Sequence, residues 1–174
     1  MKFSKKNNND APTSMSEKYK VLFVCLGNIC RSPAAQAVLL RLVDERGLAS
    51  HFHIDSAGTY GGHAGWSSDP RMIKHAKRRG YSLTHLARQV KSDDLVDFDL
   101  IVGMDARNVS DLKAMAASPA EAAKVVSMGR YITQFPHYDH VPDPYYEDAD
   151  GFELVLDLLE DSCTQLLNEI LTQR

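Results

Sequence analysis

Cysteine is scarce in this chain: Cys25, Cys30 and Cys163 are the only three. An odd, low count argues against a disulfide framework. With no apolar secretory stretch at the N-terminus, it points to a reducing compartment, the cytoplasm. No apolar run is long enough for a membrane span; the longest are strand-sized. Positive charge is not in excess either. The 20 Lys and Arg are outnumbered by 23 Asp and Glu, giving a net charge of -3 and a pI of about 6.1, so the basic face that nucleic acid requires is missing. No internal repeat occurs. What remains is ordinary: 44% hydrophobic and 25% charged residues, as in a soluble globular domain. Residues 1–18 are rich in Lys, Asn and Ser without a core-forming pattern and predict a disordered tail. Residues 19–174 fit one domain, expected to be a monomer.

Within that domain, apolar runs alternate with helical patterns. Lys20 to Val24 reads as a buried parallel strand, and His51 to Ser56, Phe98 to Met104 and Lys124 to Met128 as three more. Ser32-Pro33 predicts a helix start, with Ser as cap and Pro in the first turn, running to about Gly47 with Ala34, Ala37, Val38 and Leu42 at helical spacing. Asp69-Pro70 caps a basic helix ending near Gly80, and Asp105 starts another. From Gly151 to Thr172, the residues Phe152, Val155, Leu156, Leu159, Cys163, Leu166, Leu167 and Ile170 form an amphipathic stripe. Strands alternating with helices predict an α/β fold, a four-stranded parallel sheet in a Rossmann-type three-layer arrangement.

The chemistry lies in the first strand–loop–helix turn, Cys25-Leu26-Gly27-Asn28-Ile29-Cys30-Arg31. Ligands of open α/β sheets bind at the carboxyl ends of strands. A helix N-terminus there presents unpaired N–H groups and a partial positive charge, and a loop folded over it makes an anion nest. Gly27 is expected to permit the tight backbone, and Arg31 adds a planar fork for two phosphate oxygens. A cysteine at the start of such a loop sits in a field that favours thiolate over thiol. Beneath a tetrahedral anion it is placed for in-line attack at phosphorus. Ser32 adjoins the loop and is placed to hydrogen-bond the sulfur. A bare Cys-x5-Arg arises readily by chance, and as buried packing Cys25 would need no explanation. The preceding strand and following helix start are what give the match weight. Asp143, between Pro142 and Pro144, is a stiffened acidic residue suited to protonating a phenolate. Composition alone would make it one more solvated acid beside Asp139, Glu147, Asp148 and Asp150.

The run Val21-Leu22-Phe23-Val24-Cys25-Leu26-Gly27-Asn28-Ile29-Cys30-Arg31-Ser32-Pro33 resembles the signature of the low-molecular-weight protein tyrosine phosphatases. The resemblance continues through Asp55-Ser56-Ala57-Gly58-Thr59, Asp69-Pro70-Arg71, His85 with Ala87-Arg88, Met104-Asp105 and Asp143-Pro144-Tyr145-Tyr146, over about residues 20–172. It implies hydrolysis of phosphotyrosyl proteins through a phosphocysteine, without cofactor or metal. Cys25 matches the nucleophile, Arg31 the phosphate-binding arginine and Asp143 the general acid. Leu26, Gly27, Asn28, Ile29 and Cys30 match the phosphate-binding loop. Cys30 also matches the cysteine that forms a reversible disulfide with the nucleophile. Asn28, Ser32, Ser56 and His85 match a network that shapes the loop. Tyr145 and Tyr146 match tyrosines at the entrance.

Two positions depart from that pattern. Gly62 stands where an aromatic residue commonly flanks the substrate ring, leaving Tyr60 or Trp66 to replace it, and Gln36 stands where glutamate is frequent. Two activities on the same fold compete. An arsenate reductase needs resolving cysteines in mid-chain, and Cys163 is expected on a core-facing helix. A protein-arginine phosphatase carries Thr after the nucleophile, where this chain has Leu26. His137-Tyr138-Asp139-His140 and His51-Phe52-His53 lack a third ligand at any metal-binding spacing, and Asp148-Ala149-Asp150-Gly151 is only a fragment of a calcium loop.

Overall fold

A computed structural model describes residues 17–145 and 148–173. The predicted tail therefore lies almost wholly outside the described residues, as does Tyr146. Four strands, β1 (Tyr19–Cys25), β2 (Phe52–Gly58), β3 (Leu100–Gly103) and β4 (Val125–Ser127), form an all-parallel sheet in the order β2-β1-β3-β4. Six helices connect and cover them: α1 (Arg31–Glu45), α2 (Pro70–Arg78), α3 (Ser92–Asp97), α4 (Ala106–Met115), α5 (Pro119–Ala123) and α6 (Ala149–Thr172).

The alternation of β1 sorts its side chains between two cores. Val21 and Phe23 face the larger one, with Ala34, Ala35, Val38 and Leu39 of α1, Met72 and Ala76 of α2 and the whole apolar stripe of α6. Leu22 and Val24 face the other, with Leu95, Phe98 and Leu112. A central parallel strand covered on both faces is necessarily apolar throughout, and Val21 to Val24 are all fully buried. Neighbouring strands β2 and β3 lie on opposite sides of β1. The chain reverses its direction of travel across the sheet at β1, and the carboxyl end of that strand opens into the crevice such topologies reserve for ligands. Cys25 is its last residue.

Local chemistry explains most helix starts. Asp69 caps α2 by accepting the Arg71 N–H, with Pro70 in the first turn, and Asp105 caps α4 by accepting the Asn108 N–H. The expected cap of α1 is corrected. Its helix begins at Arg31, Cys30 holds the cap position without a side-chain bond, and Ser32 lies inside the first turn. Its hydroxyl is drawn away to Cys25 and Asn28 instead.

Candidate active site

The turn from β1 to α1 wraps around the sulfur of Cys25. The Asn28 N–H points at Cys25 Sγ from 3.3 Å, and Ser32 Oγ lies 3.0 Å from it. This closeness requires a left-handed residue, and it is Asn28, with φ of 57°, that supplies it rather than Gly27. Asparagine tolerates that region better than most side chains. Gly27 has a different use: a Cβ there would stand 2.7 Å from His63 Nδ1, so its bare backbone is what lets the imidazole close on the loop.

Asn28 is buried, and its amide uses both ends. Nδ2 donates to Ser32 Oγ (2.8 Å) and Ser56 Oγ (3.0 Å), and Oδ1 accepts from His85 Nε2 (2.9 Å) and the Arg88 N–H (3.0 Å). Ser56 in turn donates to Gln36 Oε1 (2.6 Å). Gln36 thus ends the chain of bonds that runs from the sulfur through Ser32, Asn28 and Ser56, a role for which an amide oxygen suffices. Burial lowers the affinity of His85 for a second proton, with Asp55 pulling the other way. Donation to Asn28 Oδ1 places a proton on the ring's Nε2. Arg88 is clamped by Asp55 (2.9 Å) and by both oxygens of Asp94 (3.0 and 3.1 Å), which fixes the segment whose backbone reaches Asn28.

Arg31 is almost fully buried. Nη1 donates to Asp105 Oδ2 (2.7 Å) and the Val141 carbonyl (3.1 Å), and Nη2 stands 3.6 Å from Asp143 Oδ2. Burial works against its charge, but Cys25, Asp105 and Asp143 together outweigh that, so the guanidinium holds its proton more firmly than usual. Asp105 is buried in part, and Arg31 and the α4 amides keep its carboxylate below the ordinary range all the same. Asp143 is looser: its side chain is 41% exposed, and Oδ1 accepts the Tyr145 N–H at 3.0 Å.

These groups converge on a cleft of about 240 Å³ lined by Cys25, Leu26, Gly27, Ile29, Cys30, Arg31, Tyr60, His63, Asp143 and Tyr145. Every residue expected to touch substrate is on that wall except Asn28, which lies behind it. Burial pushes the Cys30 thiol up, with Asp69 and Cys25 adding to the effect, so it stays protonated. Gly62 is explained too. A side chain there would collide with the ring and hydroxyl of Tyr60, and it is Tyr60, not Trp66, that occupies the wall. His63 had no motif to announce it; only its place between Tyr60 and the loop shows its position on the wall. Among the described residues, no cluster of three His, Cys, Asp or Glu is arranged to hold a metal ion. No helix there is long and apolar enough to cross a membrane.

A cysteine sulfur met by the Asn28 N–H and the Ser32 hydroxyl, a buried arginine and an acid across the cleft have the make-up of a phosphate-ester site, and comparison with known proteins agrees. Residues 20–174 match the family model for low molecular weight phosphotyrosine protein phosphatases. A low molecular weight protein-tyrosine-phosphatase of Streptomyces coelicolor is 42% identical over 156 residues, covering 89% of this chain and 95% of that one. The crystal structure of a protein tyrosine phosphatase from Entamoeba histolytica superposes with a TM-score of 0.87 at 40% identity, over 90% of this chain and 99% of the other. A Drosophila arginine phosphatase superposes with a TM-score of 0.81 at 34% identity, over 87% and 98% of the two chains. The chain belongs to the low molecular weight phosphotyrosine protein phosphatase family of hydrolases.

Proposed function

We propose that this protein-tyrosine phosphatase hydrolyses phosphotyrosyl proteins in two steps, with Cys25 as nucleophile, Arg31 as phosphate clamp and Asp143 as proton carrier. The observation that carries the reading is the convergence on one cleft of the Cys25 sulfur, hydrogen-bonded by Asn28 and Ser32, with Arg31 and Asp143. In the first step the thiolate forms an S–P bond as the P–O bond to the phenol breaks, and Asp143 gives its proton to the departing oxygen. Phenol is a poor leaving group at pKa of about 10, so this proton matters. In the second step Asp143 takes a proton from water as its oxygen attacks phosphorus. The S–P bond then breaks and inorganic phosphate is released. The loop amides and Arg31 hold the equatorial oxygens in both steps. The Ser32 hydroxyl, 3.0 Å from the sulfur, supports it as it leaves.

All these groups come from one chain, which suits a monomer comprising one catalytic domain over residues 19–174, in the reducing cytoplasm. Cys30 is the reserve for oxidation: a Cys25–Cys30 disulfide formed with mild peroxide would protect the nucleophile from irreversible acids of sulfur. Intact-mass analysis should find that disulfide, and Cys30→Ala should recover less activity on reduction. The substrate class is tested by turnover of phosphotyrosine, phosphoarginine and arsenate side by side. Phosphotyrosine should be preferred. The Cys163 thiol is wholly buried in the core and out of reach for an arsenate-reducing relay. Preferential turnover of phosphoarginine or arsenate would overturn the assignment.

A further inference from the structure

The backbone that carries Asp143 is held on both sides of it. Two residues before, Val141 donates its N–H to the Met104 carbonyl (2.9 Å) and its carbonyl accepts from Arg31 (3.1 Å). Two residues after, the Tyr145 carbonyl accepts Arg71 Nη2 at 2.8 Å, and the N–H of the same tyrosine donates to Asp143 Oδ1. Arg71 thus grips the residue that grips the acid. Its own place is fixed by α2 and α6. Nε and Nη2 donate to the two oxygens of Asp69 (3.0 and 2.8 Å), and the guanidinium carbon lies 4.8 Å from the ring centroid of Phe152 and 5.6 Å from that of Tyr145. Phe152 is buried and stacked on His75, with centroids 5.6 Å apart and planes at 6°, and His75 Nδ1 is bonded to Glu153 Oε1 at 2.7 Å.

Asp69 is buried, and its N–H donates to the Ile29 carbonyl of the phosphate loop at 2.8 Å. The Arg71 side chain therefore spans from a residue bonded to the phosphate loop to a carbonyl of the acid loop. One Nη2 hydrogen serves each end, a two-way bridge that suits a planar guanidinium and not a point charge. With 47% of that side chain exposed, the ion pair itself adds little to stability. A general acid works only within hydrogen-bond reach of the departing oxygen, and a misplacement of about 1 Å can cost about 100-fold. The Asp143 carboxylate has one bond to the Tyr145 N–H and a 3.6 Å approach to Arg31, so its place follows the backbone beneath it. We propose that Arg71 is a positioning residue for the acid: by tying the Tyr145 carbonyl to Asp69 it sets the distance from Asp143 to the substrate oxygen over Cys25. The inference rests on the reading of Asp143 as proton carrier.

The test uses the full chain and single-turnover formation of phosphocysteine, with phosphotyrosine and an activated nitrophenyl ester compared at one pH. Arg71→Ala should slow the phosphotyrosine reaction about 10- to 100-fold and the activated ester less than about threefold. Inhibition by inorganic phosphate should stay within about twofold of wild type, because the cradle is untouched. In an Asp143→Ala background the same change should cost less than about twofold, since the group it positions is gone. Arg71→Lys should recover little, and Arg71→Gln carries the same comparison should the alanine variant not fold. Equal slowing for both leaving groups, or weakened phosphate inhibition, marks a structural role and overturns the proposal. So do losses that multiply in the double variant, or full recovery in Arg71→Lys, which would assign the effect to charge alone. If Asp143→Ala itself shows no dependence on the leaving group, the proton-carrier reading fails and this one with it; if Asp143→Ala shows it and Arg71→Ala does not, only the positioning role is lost.

Discussion

The loop that carries Cys25 and the loop that carries Asp143 face one another across the cleft, yet they are held in opposite ways. Around Cys25 the polar side chains are buried and paired: Asn28, Ser32 and Ser56 are at most 1% exposed, and the Asn28 amide spends both donors and accepts twice. Asp143 stands 41% exposed, with one bond to the Tyr145 amide and a 3.6 Å approach to Arg31. The first arrangement suits a group that must meet a fixed tetrahedral anion, where preorganised donors cost no reorganisation during reaction. The second suits a group that must give a proton to one oxygen and take one from another. A rigid cradle opposite a lightly tethered acid teaches that substitutions in the two loops should fail differently, one in folding and chemistry together, the other in chemistry alone.

The strongest test removes the centre of the cradle. Cys25→Ser should abolish turnover of p-nitrophenyl phosphate while binding of inorganic phosphate survives, because backbone amides and Arg31 remain. Arg31→Lys should fail nearly as badly, since a point charge cannot replace a planar fork. Wild-type kcat in either variant would remove the cradle from the mechanism.

Across the cleft, Asp143→Ala should slow phosphocysteine formation on the order of 10²- to 10⁴-fold for phosphotyrosine and less for an activated nitrophenyl ester. Single-turnover kinetics keep the second step from masking this. Thermal stability should barely change. Asp139→Ala and Asp148→Ala are controls expected to resemble wild type, and a larger loss from Asp139 than from Asp143 would move the acid elsewhere.

Asn28→Ala sharpens the contrast by damaging both properties. It deletes buried hydrogen bonds and places alanine at φ of 57°, so it should cost roughly 2–4 kcal/mol of stability and lower kcat about tenfold or more. Asn28→Gly relieves the backbone but not the lost bonds. Recovery of about 1 kcal/mol relative to alanine would isolate the strain, measured by denaturant unfolding.

The smallest expected effect is a pH dependence. Burial depresses the proton affinity of His85 in the fold, so the unfolded chain takes that proton more readily. The stability His85 contributes is complete above the ordinary histidine value of about 6.5 and is lost as pH falls toward the lower folded value. Thermal melts from pH 7.5 to 5 should show a steeper loss in wild type than in His85→Gln. Equal slopes would show that the ring does not titrate between the two states.

Much of this was legible in the residues, for reasons that differ by element. The α6 stripe from Phe152 to Ile170 is buried as its spacing predicts, because a long helix repeats its period often enough to outvote noise. In α1 the spacing was less faithful: Ala34 and Val38 are buried, but Ala37 and Leu42 sit at the margin while Leu39 and Val43 go inside. A helix clamped between a sheet and α6 buries a broader face than one stripe shows. The short helices α3 and α5 were not expected, being six and five residues long, too few for a period to show. At the site, the Cys25–Arg31 spacing gained its weight from the strand before it and the helix start after it, and Asp143 from the match of Asp143-Pro144-Tyr145-Tyr146 to the family's loop. The place of His63 did not, since it depends on a loop folding back over Gly27.

The sequence by itself determined the alternation of strands and helices, the buried central strand and the placing of Cys25 and Arg31 at its exit, because those follow from local period, capping and spacing. Only the tertiary structure decided which groups surround them. Asn28, rather than Gly27, takes the left-handed turn because Ser32, Ser56, His85 and Arg88 are brought to its amide from distant parts of the chain. Tyr60 takes the wall because Gly62 leaves it room, and Trp66 remains outside on His63. These are contacts between loops, where no repeating pattern constrains the side chains and burial against a neighbour settles their place.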